Sequence, residues 1–124
     1  MSKIVREDVV LRCIRCGTIY APAPRLFMCP KCGSLLEVVL GSTQFNWSKA
    51  RERRFGVWRY KELLPLREYI KPVTLNEGGT PLVRVENLQL NGTIPSKNVY
   101  VKFEGANPTG SFKDRGMTVG VTIA

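Results

Sequence analysis

Apolar and polar positions alternate, or gather into short runs, at several places along the chain. Val9, Val10 and Leu11, then Thr18, Ile19 and Tyr20, then residues 35–40 are β-branched or aliphatic stretches bounded by Gly or Pro, which predicts short strands forming a small ribbon. After Gly41 the character shifts. Residues 46–54 carry Lys49, Arg51, Arg53 and Arg54 and read as a polar helix or an extended linker, with Ser48 as its cap. Trp58 and Tyr60 alternate with Val57 and Arg59 and are expected to seat this arm on the rest of the chain. Gly78, Gly79 and Pro81 make a turn before a strand at 82–85. Residues 98–104 are the clearest strand, with Val99, Val101 and Phe103 on one face. Val119, Val121 and Ile123 also alternate and are poor helix formers, so propensity alone favours a further strand after Gly116. Read instead as a helix, that segment completes a strand, turn and helix, half of a βαβ unit whose natural completion is a parallel α/β sheet.

The turn between those elements is Asn107-Pro108-Thr109-Gly110-Ser111-Phe112-Lys113-Asp114-Arg115-Gly116. Ser111 can accept from a free backbone N–H, and Asp114 three residues later has capping-box spacing and suits the positive end of a helix dipole. Lys113 then falls in the first turn. An ammonium there opposes the dipole, and if it is also buried it deprotonates more readily, leaving the neutral amine that Schiff-base chemistry needs. The alternative is an ordinary solvated lysine, which is what most such positions hold. The 76–81 loop has the same two readings: a plain connection, or a backbone shaped for close approach to another group.

Two identical units, Cys13-Ile14-Arg15-Cys16-Gly17 and Cys29-Pro30-Lys31-Cys32-Gly33, each place two thiols on one tight turn. Two such turns can supply four thiolates to one tetrahedral zinc ion. With no histidine in the chain, a four-cysteine site leaves no open coordination position, so the zinc would be structural. Disulfides, or an emptied or oxidised site, are the alternatives. Nothing in the sequence indicates the secretion that disulfides favour. A unit this small buries little apolar area, and the metal would supply the missing folding energy.

Composition changes the picture modestly. The chain has 44% hydrophobic and 23% charged residues, and no apolar run approaches the length of a spanning helix. The opening residues 1–8 include Glu7 and Asp8 and lead into no apolar signal core, so a cytoplasmic protein without a membrane partner is expected. Residues 1–60 hold 11 Lys/Arg against 4 Asp/Glu, while residues 61–124 hold 8 against 6, so most of the net charge of +9 is amino-terminal. A basic, cysteine-rich module suits a nucleic-acid binder. The basic run at 49–54 reads better as a solvated helix face, because no aromatic residues interleave its charges.

Residues 107–116 closely resemble the cofactor-lysine motif of the threonine synthases, pyridoxal-phosphate enzymes of the tryptophan-synthase-β-like fold. Three other stretches agree in order: Gly56-Val57-Trp58-Arg59-Tyr60-Lys61-Glu62-Leu63-Leu64-Pro65, Glu77-Gly78-Gly79-Thr80-Pro81-Leu82, and Val99-Tyr100-Val101-Lys102-Phe103-Glu104. An amino-terminal four-cysteine module is also found in many members. The resemblance implies an α/β fold: a zinc-ribbon-like module over 1–42, a linker and helical arm over 43–75, and over 76–124 the truncated beginning of a fold-type-II pyridoxal-phosphate domain, with 117–124 helical. It implies that Lys113 holds pyridoxal 5'-phosphate, that Phe112 packs against the pyridine ring, and that Thr80 offers its hydroxyl to substrate. Structural zinc would sit on Cys13, Cys16, Cys29 and Cys32. The intact enzyme would convert O-phospho-L-homoserine and water to L-threonine and phosphate, as a homodimer. Asp114 leans the resemblance away from the threonine and serine dehydratases, which often carry an aliphatic residue there. Arg115 has no partner that the sequence assigns. Members of the family are considerably longer and place the cofactor between two domains, so an amino-terminal portion, inactive alone, is expected. A related lyase such as a cysteate synthase or a dehydratase, and a stand-alone zinc-ribbon module that binds nucleic acid, are the other readings.

Overall fold

The computed structural model describes residues 4–85 and 99–124. Met1, Ser2 and Lys3 of the opening segment, and Asn98 at the start of the clearest predicted strand, lie outside the described residues. Three strands form the first sheet: β1 (Val9–Cys13), β2 (Ile19–Tyr20) and β3 (Leu36–Leu40), in the order β2-β1-β3 and antiparallel throughout. The register pairs Leu11 with Tyr20 on one side, and Val9 with Leu40 and Cys13 with Leu36 on the other. Central β1 thus delivers Cys13 to the sheet end where the second cysteine turn arrives. Val9 and Cys13 are the buried ends of that strand, and Cys29 is buried beside them. Little else in the sheet is enclosed.

The linking arm contains helix α1 (Trp47–Arg51) and a 3-10 segment (Val57–Leu63). Asn46, not Ser48, caps α1: its backbone is extended and its side-chain oxygen accepts from Lys49 N at 3.2 Å. Asn and Ser cap about equally well, and Ser48 already lies inside the first turn. Trp58 reaches the last helix, as Nε1–H donates to Thr118 Oγ1 at 2.9 Å. Tyr60 turns the other way and packs with Phe45 and Trp47, ring centroids 5.9 and 6.2 Å away.

The carboxyl-terminal half holds β4 (Leu82–Val85), β5 (Val99–Lys102), a 3-10 turn (Glu104–Ala106) and helix α2 (Asp114–Ile123). β4 and β5 pair antiparallel, with Leu82 opposite Lys102 and Val85 opposite Val99. The expected parallel arrangement is therefore not what the described residues form. In a βαβ unit the parallel neighbour follows the helix, whereas β5 takes as its partner the strand that precedes it. The four valines 83, 85, 99 and 101 share one face of this pair, and Val83 and Val101 are exposed.

Residues 114–123 are helical despite their alternation of branched residues. Asp114, Thr118 and Thr122, four residues apart, are its buried positions, so the inward stripe has the helical period and is polar. Thr118 Oγ1 donates to Val73 O at 2.8 Å, and Val73 N donates to Thr122 Oγ1 at 3.0 Å. These bonds lay residue 73 along the helix, each contributing about 0.5–1.5 kcal/mol.

Candidate functional site

Around the cysteines, each turn repeats one backbone pattern. Gly17 N donates to Cys13 O at 3.0 Å and Gly33 N to Cys29 O at 2.8 Å. Both glycines have φ near +70°, a conformation most side chains resist. The turns bring the Sγ atoms of Cys13, Cys16, Cys29 and Cys32 within 4.8 Å of one another. Cys13 and Cys32 approach to 3.5 Å, and Cys16 and Cys29 to 3.6 Å. Four sulfurs at about 2.3 Å from a tetrahedral ion are separated by about 3.8 Å, so this donor set fits zinc.

Two hydroxyls flank the sulfurs: Thr18 Oγ1 lies 3.2 Å from Cys16 Sγ, and Tyr20 Oη lies 3.2 Å from Cys29 Sγ. Thr18, through its hydroxyl and then its backbone, draws Cys16 down to about 6, and Tyr20 likewise lowers Cys29. At Cys32 the backbone hydrogen bond from Ser34 lowers the value, but the adjoining thiols, Cys13 first, and burial outweigh it and push the group up to about 11. Thiolates this close repel one another, so ionising all four calls for a cation between them.

The lysine turn is built differently from the capping box. Pro108 and Gly110 bend the chain, and Gly110 N donates to Asn107 O at 2.8 Å. Bonds of the i to i+3 kind then tighten residues 111–116, with Asp114 N on Ser111 O and Arg115 N on Phe112 O. Ser111 Oγ does accept a backbone hydrogen, that of Lys113, at 3.2 Å. Asp114 does not reach back to Ser111. Its carboxylate takes Thr109 N at 2.8 Å and also the Thr109 hydroxyl. Lys113 occupies the cap position of α2, and both Lys113 and Phe112 are exposed, Phe112 to 63%. The turn thus presents one primary amine and one aromatic ring side by side, the donor chemistry that fits a pyridoxal-phosphate aldehyde and its ring.

Beneath the turn lies an ionic network that sequence reasoning did not assemble. Arg115 donates from Nε to Glu104 Oε2 and from Nη2 to Glu104 Oε1, both at 2.7 Å. The Thr80 hydroxyl donates to Oε1 at 2.6 Å and accepts from Arg115 Nη2 at 3.0 Å. Asn107 Nδ2 adds a bond to Oε2 at 3.1 Å, and its Oδ1 accepts from Gly78 N at 2.9 Å. Arg115 foremost, then Thr80, hold Glu104 down to about 2. Thr80 and Asn107 are buried. Thr80 is therefore a buried member of this cluster, whereas the side chains of Lys113 and Phe112 are exposed on the turn that Arg115 follows. The sequence places Glu104 only at the end of the 98–104 strand. Eleven residues from Arg115, it carries no local signal of the pairing.

Nearby, Glu77 is also buried. Burial opposes its ionisation, but hydrogen bonds from Thr74 and the backbone of Leu75 outweigh this and lower its pKa. Val57 N donates to Glu77 O at 3.0 Å, tying the arm to the 76–81 loop.

Residues 73–123, which hold the lysine turn and its ionic network, match the family of pyridoxal-phosphate dependent enzymes. Within that family, the chain is similar along nearly its whole length to threonine synthases. It is 51% identical over 117 residues to that of Methanocaldococcus jannaschii, covering 91% of this chain and 28% of the relative. The Methanosarcina acetivorans threonine synthase is 47% identical over 116 residues, 92% of this chain and again 28% of the relative. That of Halalkalibacterium halodurans is 54% identical over 65 residues, 52% of this chain and 18% of the relative. The chain thus spans less than a third of the length of these relatives. No solved structure matches it. Among the described residues, no helix is long and apolar enough to cross a membrane.

Proposed function

We propose that this chain serves as the amino-terminal part of a cytoplasmic, homodimeric threonine synthase that converts O-phospho-L-homoserine and water to L-threonine and phosphate. The observation that carries the reading is the exposed Lys113 at the cap of α2, within a chain about half identical to threonine synthases over nine-tenths of its length. Pyridoxal phosphate, when bound, supplies an electron sink for carbanion chemistry. Lys113 Nζ would hold the group and, once released by the substrate amine, accept and return protons at the substrate carbons. Phe112 would cover the ring. Thr80, whose hydroxyl hydrogen goes to Glu104, would offer substrate only its acceptor capacity. Residues 1–42 would form a zinc-ribbon-like module with one structural zinc on Cys13, Cys16, Cys29 and Cys32, residues 43–75 its linking arm, and residues 76–124 the start of the cofactor domain.

Borohydride reduction of the cofactor-loaded complete polypeptide, followed by peptide mapping, tests the assignment. The pyridoxyl group is expected on Lys113, and Lys113→Ala is expected to abolish phosphate release from phosphohomoserine. Label on another lysine overturns the reading. Turnover of phosphoserine or threonine in place of phosphohomoserine would move the chain to a related lyase.

A further inference from the structure

The Glu104 carboxylate is saturated. It accepts from Arg115 Nε and Nη2, from Thr80 Oγ1 and from Asn107 Nδ2, about the full acceptor capacity of an ionised carboxylate. Arg115 in turn commits two donors to Glu104 in the planar fork geometry that a lysine cannot copy. Glu104 thus has no acceptor capacity left for a ligand, and Arg115 spends Nε and Nη2 inside the cluster, on Glu104 and Thr80. What they join is backbone: Thr80 belongs to the 76–81 loop, Glu104 and Asn107 flank the short turn after β5, and Arg115 is two residues beyond Lys113. Arg115 stands at the positive end of the α2 dipole, an unfavourable place for a cation that the Glu104 anion offsets. Gly78 fits the same cluster, since at φ +82° a side chain there would begin 2.9 Å from Arg115 Nη1 and 3.0 Å from Val57 N. The loop is shaped around the guanidinium.

We propose that Arg115 and Glu104, with Thr80 and Asn107 closing the pair, are positioning residues that fix the direction in which Lys113 presents its amine. This inference rests on the reading above. A lysine side chain is long and flexible, so the placement of its amine starts from its backbone. That backbone is held on both sides of the turn: by Asn107 before it, and by Asp114, bound to Thr109, and Arg115 after it. Loosening the clamp leaves the amine present but poorly aimed, and a misplacement of about 1 Å costs on the order of 100-fold in rate.

The test compares Glu104→Gln, which keeps shape and removes charge, with Arg115→Lys, which keeps charge and removes the fork, in the cofactor-loaded complete polypeptide. Glu62→Gln, which breaks the separate Arg53–Glu62 ion pair, controls for lost stability. The readouts are the visible circular dichroism of the bound cofactor, which reports a fixed ring orientation, and kcat and KM for phosphohomoserine. Both cluster variants are expected to lose most of the visible signal and about 10- to 100-fold in kcat, with KM within about threefold. Glu62→Gln is expected to melt earlier and keep the signal. If either cluster variant keeps its signal and kcat, or if Glu62→Gln loses them equally, the positioning role is overturned. Wild-type protein that carries no borohydride-fixed label on Lys113 overturns the functional reading and this inference together; labelled wild type with unaffected variants overturns this inference alone. Should Glu104→Gln fail to fold, Arg115→Lys decides.

Discussion

At the scale of single residues, carboxylates in close ion pairs dominate the described structure. Glu62 is held down to about 2 by Arg53, and Glu104 to about 2 by Arg115, against an ordinary value of 4.5. A carboxylate whose folded pKa is depressed adds stability that is fully present above its unfolded value and is lost as pH falls through the folded one. The window here runs from about pH 4.5 down to about pH 2. Urea midpoints are therefore expected to fall most steeply from about pH 4.5 toward about pH 2. The fall should be shallower in Glu62→Gln and shallower still with Glu104→Gln added. An identical pH profile in wild type and the double variant would show that these pairs contribute nothing. Arg12–Glu37 is more exposed on both sides and is expected to matter less.

Among the elements, the three-stranded sheet depends most on something other than packing. Of its strand residues only Val9 and Cys13 are buried, while Ile19 and Val38 lie open. Apolar burial of that extent does not hold a ribbon of this size, and a metal held by the four thiols that converge at one end would supply the remaining constraint. One zinc per chain is expected by elemental analysis. Chelation should remove the strand signal of roughly residues 9–40 while amide protection in α2 persists, and Cys16→Ser should bind zinc more weakly and melt earlier. Metal-free, freshly reduced protein with an intact sheet would falsify this account. β4 and β5 are joined by their antiparallel backbone ladder, and α2 is held by side-chain hydrogen bonds, with Thr118 and Thr122 gripping residue 73.

Over the whole molecule, buried polar residues are as prominent as buried apolar ones. Val5, Val9, Cys13, Cys29, Ala50 and Leu66 make up the apolar interior among the described residues, against Glu77, Thr80, Asn107, Asp114, Thr118 and Thr122. Leu82, Val83, Tyr100, Phe103 and Met117 stay exposed in the carboxyl-terminal half. The chain presents Lys113 but does not enclose a cofactor around it. Catalysis depends on holding ring, amine and substrate in one geometry, so the 124-residue chain alone is expected to react slowly with pyridoxal phosphate and release no phosphate from phosphohomoserine. Phosphate release by the purified chain at a rate near that of a full-length enzyme would show that its active site is self-contained.

The amino-acid sequence by itself determined the local features. Spacing within Cys13–Cys16 and Cys29–Cys32 sets two turns whose glycines need positive φ, and branched residues flanking them set three strands. Pro108 and Gly110 set the bend that exposes Lys113. Each of these follows from the conformational preferences of a few neighbouring residues. Only the tertiary structure decided the pairing of β4 with β5, the helicity of 114–123 and the ionic cluster. The alternation of Val119, Val121 and Ile123 spoke for a strand, and the polar stripe of Asp114, Thr118 and Thr122 could be recognised as an inward face only once residue 73 and Trp58 lay against it. Glu104, Thr80 and Arg115 come from segments as far as 35 positions apart, and a contact between residues so distant in the chain leaves no periodic trace in it.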